Sequence, residues 1–535
     1  MLINRRNLLT AAAGAGAWLC GLAPEASAAQ PAASRQRRFH YSVSGRLIDA
    51  EPEMLRLVRE AGITDLWLDW WVGPPPAGIP DDEAIRRFRE WVRRIEAEGM
   101  AAHLITVPLG HPGEGPATPK FPVEGHWGVA PNGSTYAGTA CHPAVVQENL
   151  TTLERLRRVP FRRCFLDDDF RLAQTPFNIG GCFCPQHKDA FLKQHGYSEA
   201  QWAELVEAVN TRTVTPVLRA WLSFIGDELT GLFRQLRRAV APDMAVGIMV
   251  MYLGSEKAGI RLPDYRDVPF RVGESMFDDD AFAPPKGKTD ELFSVLFHRR
   301  FARPELAFSE TTAYPAERLS PRNGLAKLCT STIADVRNTM FMCANLADWS
   351  RREPGRLAAA IKKHTALHQV VAGHRPRGPF KHFWGEHSRL VGGDWPYSLF
   401  LATGVPFEVT ERPATDGWTF LSDADARALA EGKLRSRGTT FIYRPSAAQT
   451  SQGRPVADTL ADLFALRREI LPKLRQVPYV AEELPVVCAW YPTARAVLLW
   501  NLQEQPVDLT LCVGTTRRAV RIEALELELV RDVRV

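Results

Sequence analysis

Three consecutive carboxylates, Asp167, Asp168 and Asp169, follow directly on the short apolar run Cys164–Leu166. A strand that buries such a run delivers whatever follows it to water or to a ligand. Adjacent carboxylates repel one another, and one relief is a raised pKa that leaves a carboxyl protonated near neutrality, the property a general acid needs. A solvated loop or a helix cap would use the same residues without chemistry. A second cluster comes shortly after: Cys182 and Cys184 stand two residues apart, His187 follows, and Cys141 lies upstream. Thiolate and imidazole donors in this set suit tetrahedral Zn²⁺. A disulfide is the rival use; a Cys182–Cys184 bridge would be strained because neighbouring pleated positions point apart, whereas Cys141 pairs more easily with either. With no position open for water, the metal would hold loops in place rather than perform chemistry.

These residues need a scaffold, and the chain alternates short apolar runs with amphipathic helical segments between about Phe39 and Val371. Strands are predicted near Arg38–Val43, Ile63–Asp69, Ala101–Val107, at the run before Asp167, and at Met244–Met251, Val268–Glu274, Leu306–Glu310 and Asn338–Cys343. Helices are predicted at Glu51–Glu60, Ala84–Glu98, Pro143–Arg158, along one long stretch from Ser198 to Val240, and at Lys288–Phe301. Repeated strand–helix units imply a parallel sheet, and eight of them imply a closed (β/α)8 TIM barrel. A doubly wound open sheet is the alternative, but no Gly-x-Gly-x-x-Gly follows an early strand and no Walker motif is present, so nucleotide readings lack their fingerprints.

Barrel active sites lie at the C-terminal ends of the strands. Here those ends carry Asp69, His103 and Thr106, Asp167 to Asp169, Tyr252, Glu274, Glu310, and Asn345 with Asp348. Asp278 to Asp280 are reserve carboxylates at the sixth strand. Trp67, Trp70, Trp71 and Trp127 are candidates for a flat platform under a sugar ring, with the pair Trp70 and Trp71 expected to place at least one indole in the cleft. Arg171 stands two residues beyond Asp169, where it would neutralise the acidic cluster or bind a carboxylate on a substrate.

Outside the barrel, Arg5 and Arg6 precede an Ala-rich apolar stretch and the small residues Ala26–Ala28. That is the layout of a signal peptide resembling the twin-arginine type, so residues 1–28 are expected to be removed on export to the periplasm or beyond. The 66 basic and 61 acidic residues are interspersed, for a formal charge of +5, and no basic stripe with interleaved aromatics points to nucleic acid. After residues 38–375 a small α/β domain is predicted at 376–476, with strands at Phe407–Thr410, Trp418–Ser422 and Thr439–Tyr443, N-caps at Ser422 and Asp423, and a loop at Gln449–Pro455. Residues 477–535 read as a small antiparallel β domain, with strands at Val486–Trp490, Ala496–Leu502, Val507–Val513 and Val520–Leu527.

Taken together, the Asp167–Phe170 run, Glu310 in Phe308–Thr312 and the cysteine set resemble the family 42 β-galactosidases and their relatives among the retaining (β/α)8-barrel glycoside hydrolases. The resemblance spans nearly the whole mature chain through short motifs. It implies a barrel, a flavodoxin-like domain that drives trimer formation, and a small β-sandwich-like domain. It implies Asp169 as acid/base, where the family has Glu, and Glu310 as nucleophile, acting on a small soluble glycoside or oligosaccharide. Asp168 replaces the Asn that contacts the sugar's 2-hydroxyl, which opens furanosides and uronic acids as substrates. Cys141, Cys182 and Cys184 match three of the family's zinc ligands, with His187 in place of the fourth, and no organic cofactor is implied. Trp384, from the trimer-forming domain, is expected to reach a neighbouring active site. Two other function classes compete: a non-catalytic carbohydrate-binding envelope protein, and a metal-dependent hydrolase using Asp167, Asp169 and His103.

Overall fold

The computed structural model describes residues 36–535 except 72–78, 108–126, 138–142, 168–169, 176, 274–277, 314, 343–344, 394 and 475. The signal segment 1–28 therefore lies outside the described residues. Eight parallel strands close into a barrel: β1 (Arg38–Ser42), β2 (Asp65–Trp71), β3 (Ala101–Val107), β4 (Arg163–Leu166), β5 (Ala245–Met251), β6 (Phe270–Gly273), β7 (Ala307–Thr312) and β8 (Asn338–Met342). Each expected strand is present, and β1 closes the ring against β8 with Arg38 opposite Asn338.

Alternation along the strands sorts side chains into layers inside the barrel. The base layer is polar. His103 Nε2 donates to Asp65 at 2.8 Å, Arg38 binds the same carboxylate, and His40 takes a hydrogen bond from the Trp67 indole while donating to Asn338. Above it lies a layer of Trp67, Ile105, Phe165, Phe308 and Met340, in which Trp67 stacks on Phe165 with centroids 4.6 Å apart. The third layer, at the mouth, is polar again and holds Asp167, Arg271 and Glu310.

Two readings of the elements need correction. The stretch from Ser198 to Val240 is two helices, Glu199–Asn210 and Pro216–Val240, because Arg212 adopts a left-handed φ of 51° and Thr215 caps a new helix that starts at Pro216. Val520–Leu527 is not one strand; Thr516–Ile522 and Leu527–Arg531 belong to different three-stranded sheets, separated by a turn with Leu525 at φ 61°.

Beyond the barrel, five parallel strands, β9 (Phe380–Phe383), β10 (Phe407–Thr410), β11 (Trp418–Leu421), β12 (Thr440–Tyr443) and β13 (Gly453–Pro455), form a sheet in the order β10-β9-β11-β12-β13. This is the flavodoxin-like order 2-1-3-4-5. Part of the segment expected to be a loop, Gly453–Pro455, is its edge strand, paired with β12. Ser422 stands at the N-cap position of helix Asp423–Ala430 but makes no side-chain cap; its hydroxyl meets Ser388 instead. The sheet packs on barrel helix Pro285–His298, where Phe293 and Phe297 meet His382 and Trp384. Two antiparallel three-stranded sheets complete the chain and share an apolar core containing Val486, Cys488, Leu499 and Leu511. Among the described residues no helix is long and apolar enough to cross a membrane.

Burial holds six histidines neutral. Desolvation lowers His40 to about 3 and His298 to about 4, and it likewise lowers His103, His364, His368 and His382. The unfolded chain protonates these rings below about pH 6.5 while the folded chain does not, so stability present above that pH is lost as pH falls. Each ring contributes up to about 1.4 kcal/mol per pH unit. Melting followed by calorimetry at pH 7.5, 6.5 and 5.5 should therefore show a falling Tm across the lower interval, before carboxylates titrate; a constant Tm would contradict neutral burial.

Candidate active site

The mouth layer is built by three strands. Phe308 faces the barrel interior, and Glu310, two residues further along β7, faces the same way at 2 % exposure. Phe165 on β4 sets the same phase for Asp167, which is 9 % exposed and whose backbone amide donates to Thr106. On β6, Phe270 and Val272 pack outward into the main core, so Arg271 between them turns inward. Its guanidinium lies 5.3 Å from the centre of the Phe165 ring. From there it forms ion pairs with Asp167 and, through Nε at 3.1 Å, with Glu310. The Thr312 hydroxyl donates to Glu310 as well. Two carboxylates of the mouth layer thus share one buried cation.

Asp168 and Asp169 lie outside the described residues, as do Glu274 and Cys141. Trp71 and Trp127 belong to described strands, but their side chains are outside the description. Asp69 shares the inward phase of Trp67 and is half-buried near the mouth. Tyr252 follows β5 and is buried there, its amide bonded to Gly273 at the end of β6. Arg171 is buried in the segment after β4.

Other candidates stand elsewhere. His103 is in the base layer with Asp65, on the far side of the Trp67–Phe165 layer from Asp167, because its place near the middle of β3 is one turn of the pleat too early for the mouth. That separation removes the joint metal site of Asp167 and His103. His40, Asp65 and His103 have metal-like spacing, yet both His40 nitrogens are committed, one to Trp67 and one to Asn338, and Asp65 is held by Arg38 and His103. Trp67 is fully buried in the middle layer, and Trp70 faces outward, edge-on to Phe88 at 5.7 Å. Trp384 is fully buried against Phe293 and Phe297, so it cannot reach a neighbouring site. Asn345 and Asp278 cap helices, and Asp279 binds Ser320 and Asn323. Arg271 was absent from the sequence reading; its only signal is a charge between two apolar residues of a short strand.

The cysteine cluster is preassembled. Gly181, at φ 113°, turns the chain into Cys182, and the Val129 amide donates to the Cys182 sulfur at 3.4 Å. Phe183 bonds the Val129 carbonyl, and the Tyr136 hydroxyl donates to the Gly181 carbonyl, so the hairpin Trp127–Val129/Thr135–Ala137 holds this segment. Cys184 precedes helix Pro185–His195, which brings His187 Nδ1 to 3.1 Å from its sulfur. The donor atoms of Cys182, Cys184 and His187 lie within 4.8 Å of one another. Tetrahedral zinc with bonds of about 2.0–2.3 Å fits inside such a triangle. Cys182 and Cys184 are not bridged to each other, and burial raises the Cys182 thiol to about 11.

No family model and no curated protein matches the sequence. Solved structures do share the fold. The β-galactosidase of the Antarctic haloarchaeon Halorubrum lacusprofundi is 13% identical, with a TM-score of 0.58 over 93% of this chain and 99% of that one. The β-galactosidase of Bacillus circulans sp. alkalophilus is 11% identical, with a TM-score of 0.58 over 92% and 98%. A GH42 β-galactosidase, Gan42B, is 10% identical, with a TM-score of 0.58 over 92% and 98%. The likeness extends from the barrel through the C-terminal sheets, and it is one of fold.

Replacing Arg271 by Met should strand two buried carboxylates and cost about 3–5 kcal/mol of stability. Adding Asp167→Asn should recover part of the loss, because the two changes act on one network. Urea denaturation of the single and double variants measures this; a loss below about 1 kcal/mol for Arg271→Met would show that the ion pairs do not hold the mouth.

Proposed function

We propose that this chain is an exported glycoside hydrolase that cleaves a glycosidic bond by retaining double displacement. The observation that carries the proposal is Glu310, a buried carboxylate on the inner face of β7, paired with Arg271 and set above an apolar floor, in a fold shared with β-galactosidases. Glu310 attacks the anomeric carbon while a protonated carboxyl donates to the leaving oxygen. Asp167 is committed to Arg271, and an ion-paired carboxylate is a poor proton donor. The resemblance to the family 42 enzymes assigns the acid/base role to Asp169, next but one in the chain. Water activated by Asp169 then releases the glycosyl group. Arg271 is shared between Asp167 and Glu310, which holds the Glu310 carboxylate in place on the floor of the cleft.

Retention requires the two catalytic carboxyls about 5–5.5 Å apart, whereas inversion needs roughly 6.5–9.5 Å to admit water. An aspartate as acid/base is one methylene shorter than glutamate, which favours a substrate whose anomeric carbon sits differently from that of a β-galactopyranoside, such as a furanoside or a uronic acid glycoside. Zn²⁺ bound by Cys182, Cys184 and His187, with Cys141 as the fourth ligand, would brace the loops after β3 and β4. Delivery by a twin-arginine signal would let the folded chain acquire the metal before export, and the family likeness supports a homotrimer.

Glu310→Gln should lower kcat on an activated aryl glycoside by about 10³-fold or more, and NMR of the first product should show the retained anomer. Near-parental activity of the variant would remove Glu310 from the mechanism, and no turnover by the parent across α- and β-linked pyranosides and furanosides would favour a carbohydrate-binding protein. Elemental analysis should find about one zinc per chain, lost in Cys184→Ser. Mild chelation that abolished turnover without unfolding would instead place the metal in the chemistry.

A further inference from the structure

Most large apolar side chains of this protein are buried, and among the described residues only Ile79, Phe177, Trp395 and Val535 are conspicuous exceptions. The two aromatics among them are neighbours. Trp395, 46 % exposed, and Phe177, 38 % exposed, lie with centroids 6.2 Å apart and planes only 17° from parallel. They come from distant parts of the chain: Phe177 from the segment after β4, Trp395 from the segment between β9 and β10. The Trp395 ring also stands 5.9 Å from that of Tyr252. Tyr252 holds a left-handed φ of 48°, unusual for a bulky residue, and its amide bonds Gly273, the last residue of the strand that carries Arg271. The aromatic pair therefore stands at the barrel mouth, outward of the Asp167–Arg271–Glu310 layer.

An exposed indole can be incidental where its backbone is loose, but this one is anchored. The Arg444 guanidinium donates to the Trp395 carbonyl at 3.0 Å, Lys286 donates to the Pro396 carbonyl at 3.3 Å, and Lys257 donates to the Gly392 carbonyl at 2.8 Å. Arg212 joins the two halves of the shelf. It donates to the Val391 carbonyl at 2.7 Å, the Gly392 carbonyl at 2.8 Å and the Phe177 carbonyl at 3.2 Å. Arg212 is the residue whose left-handed backbone breaks the long helix. The backbone is thus fixed while the rings stay exposed, the arrangement of a preorganised binding surface.

We propose that Trp395 and Phe177 form a stacking shelf for the outer sugar ring of an oligosaccharide, with Arg212 as the positioning residue that sets the two rings side by side. The proposal rests on the glycosidase reading only for the direction of the chain. The sugar that reacts sits over buried Glu310, so a ring on the exposed shelf belongs to the leaving group. A flat aromatic surface matches the apolar C–H face of a pyranose, and its exposed rim leaves the hydroxyls in water. The second α/β sheet thereby contributes to substrate choice within a single chain.

The test is calorimetric titration of the full chain carrying Glu310→Gln with lactose, cellobiose, a glucuronosyl-glucose and an arabinofuranosyl-xylose. At least one should bind; adding Trp395→Ala should weaken it about tenfold or more, while Trp395→Phe should retain most of the affinity. Arg212→Ala, which keeps both aromatic side chains but removes the link between their segments, should weaken binding less than Trp395→Ala. Equal affinity in Trp395→Ala and its parent, or no binding of any of the four sugars by the parent, overturns the shelf. Binding that depends on Trp395 in a chain that hydrolyses no glycoside would leave the shelf standing and overturn only the glycosidase reading.

Discussion

The mouth of the barrel depends on one cation placed between two carboxylates. Arg271 is fully buried, and a guanidinium cannot shed its proton to escape that environment. It has to be paired, and Asp167 and Glu310 pair it from the two strands that flank the cleft at β4 and β7. The carboxylates in turn are tolerable inside the barrel because the cation is there. Removing Arg271 leaves two uncompensated carboxylates above an apolar floor, which is more costly than never having placed the network. The arrangement thus fixes the geometry of the cleft's floor.

The apolar layer beneath gives this network its character. Trp67, Phe165, Phe308 and Met340 separate the charges at the mouth from the polar base around Asp65, His40 and His103. In the base layer Asp65 accepts from His103 and Arg38 while His40 bridges Trp67 and Asn338, and burial holds both histidines below their ordinary values. The same residue types that would be catalytic at the top of the barrel are structural at its bottom. Height along a strand decides between the roles, and a shift of two residues is enough.

The second sheet is more than an appendage. Helix Pro285–His298 is buried along nearly its whole length between the barrel and this sheet. The segment after β9 is tied to the loops after β4 and β5 by Arg212, Lys257 and the Arg389–Glu256 ion pair at 2.5 Å. The described segments after β4 and β5, with Phe177 and Tyr252, are therefore held from both sides. Trp384, at the heart of this contact, packs instead of reaching outward, because the sheet's edge and the barrel helix close over it.

The sequence by itself determined the barrel. Eight apolar runs separated by amphipathic helices leave few other ways to bury that much surface, and the strand positions followed from periodicity alone. It also determined which strand ends carry carboxylates, so Glu310 was legible, and the local Cys182–His187 spacing was enough to bring two thiols and an imidazole together. The tertiary structure decided what local pattern cannot encode. His103 belongs to the base because depth inside a barrel depends on the stagger of neighbouring strands. Arg271 became central because residues 104 and 39 positions away in the chain, Asp167 and Glu310, converge on it. Trp395 and Phe177, separated by more than two hundred residues, are neighbours, with Arg212 binding the Phe177 and Gly392 carbonyls on the two sides. Such convergence is set by packing between elements, and no window along the chain contains it.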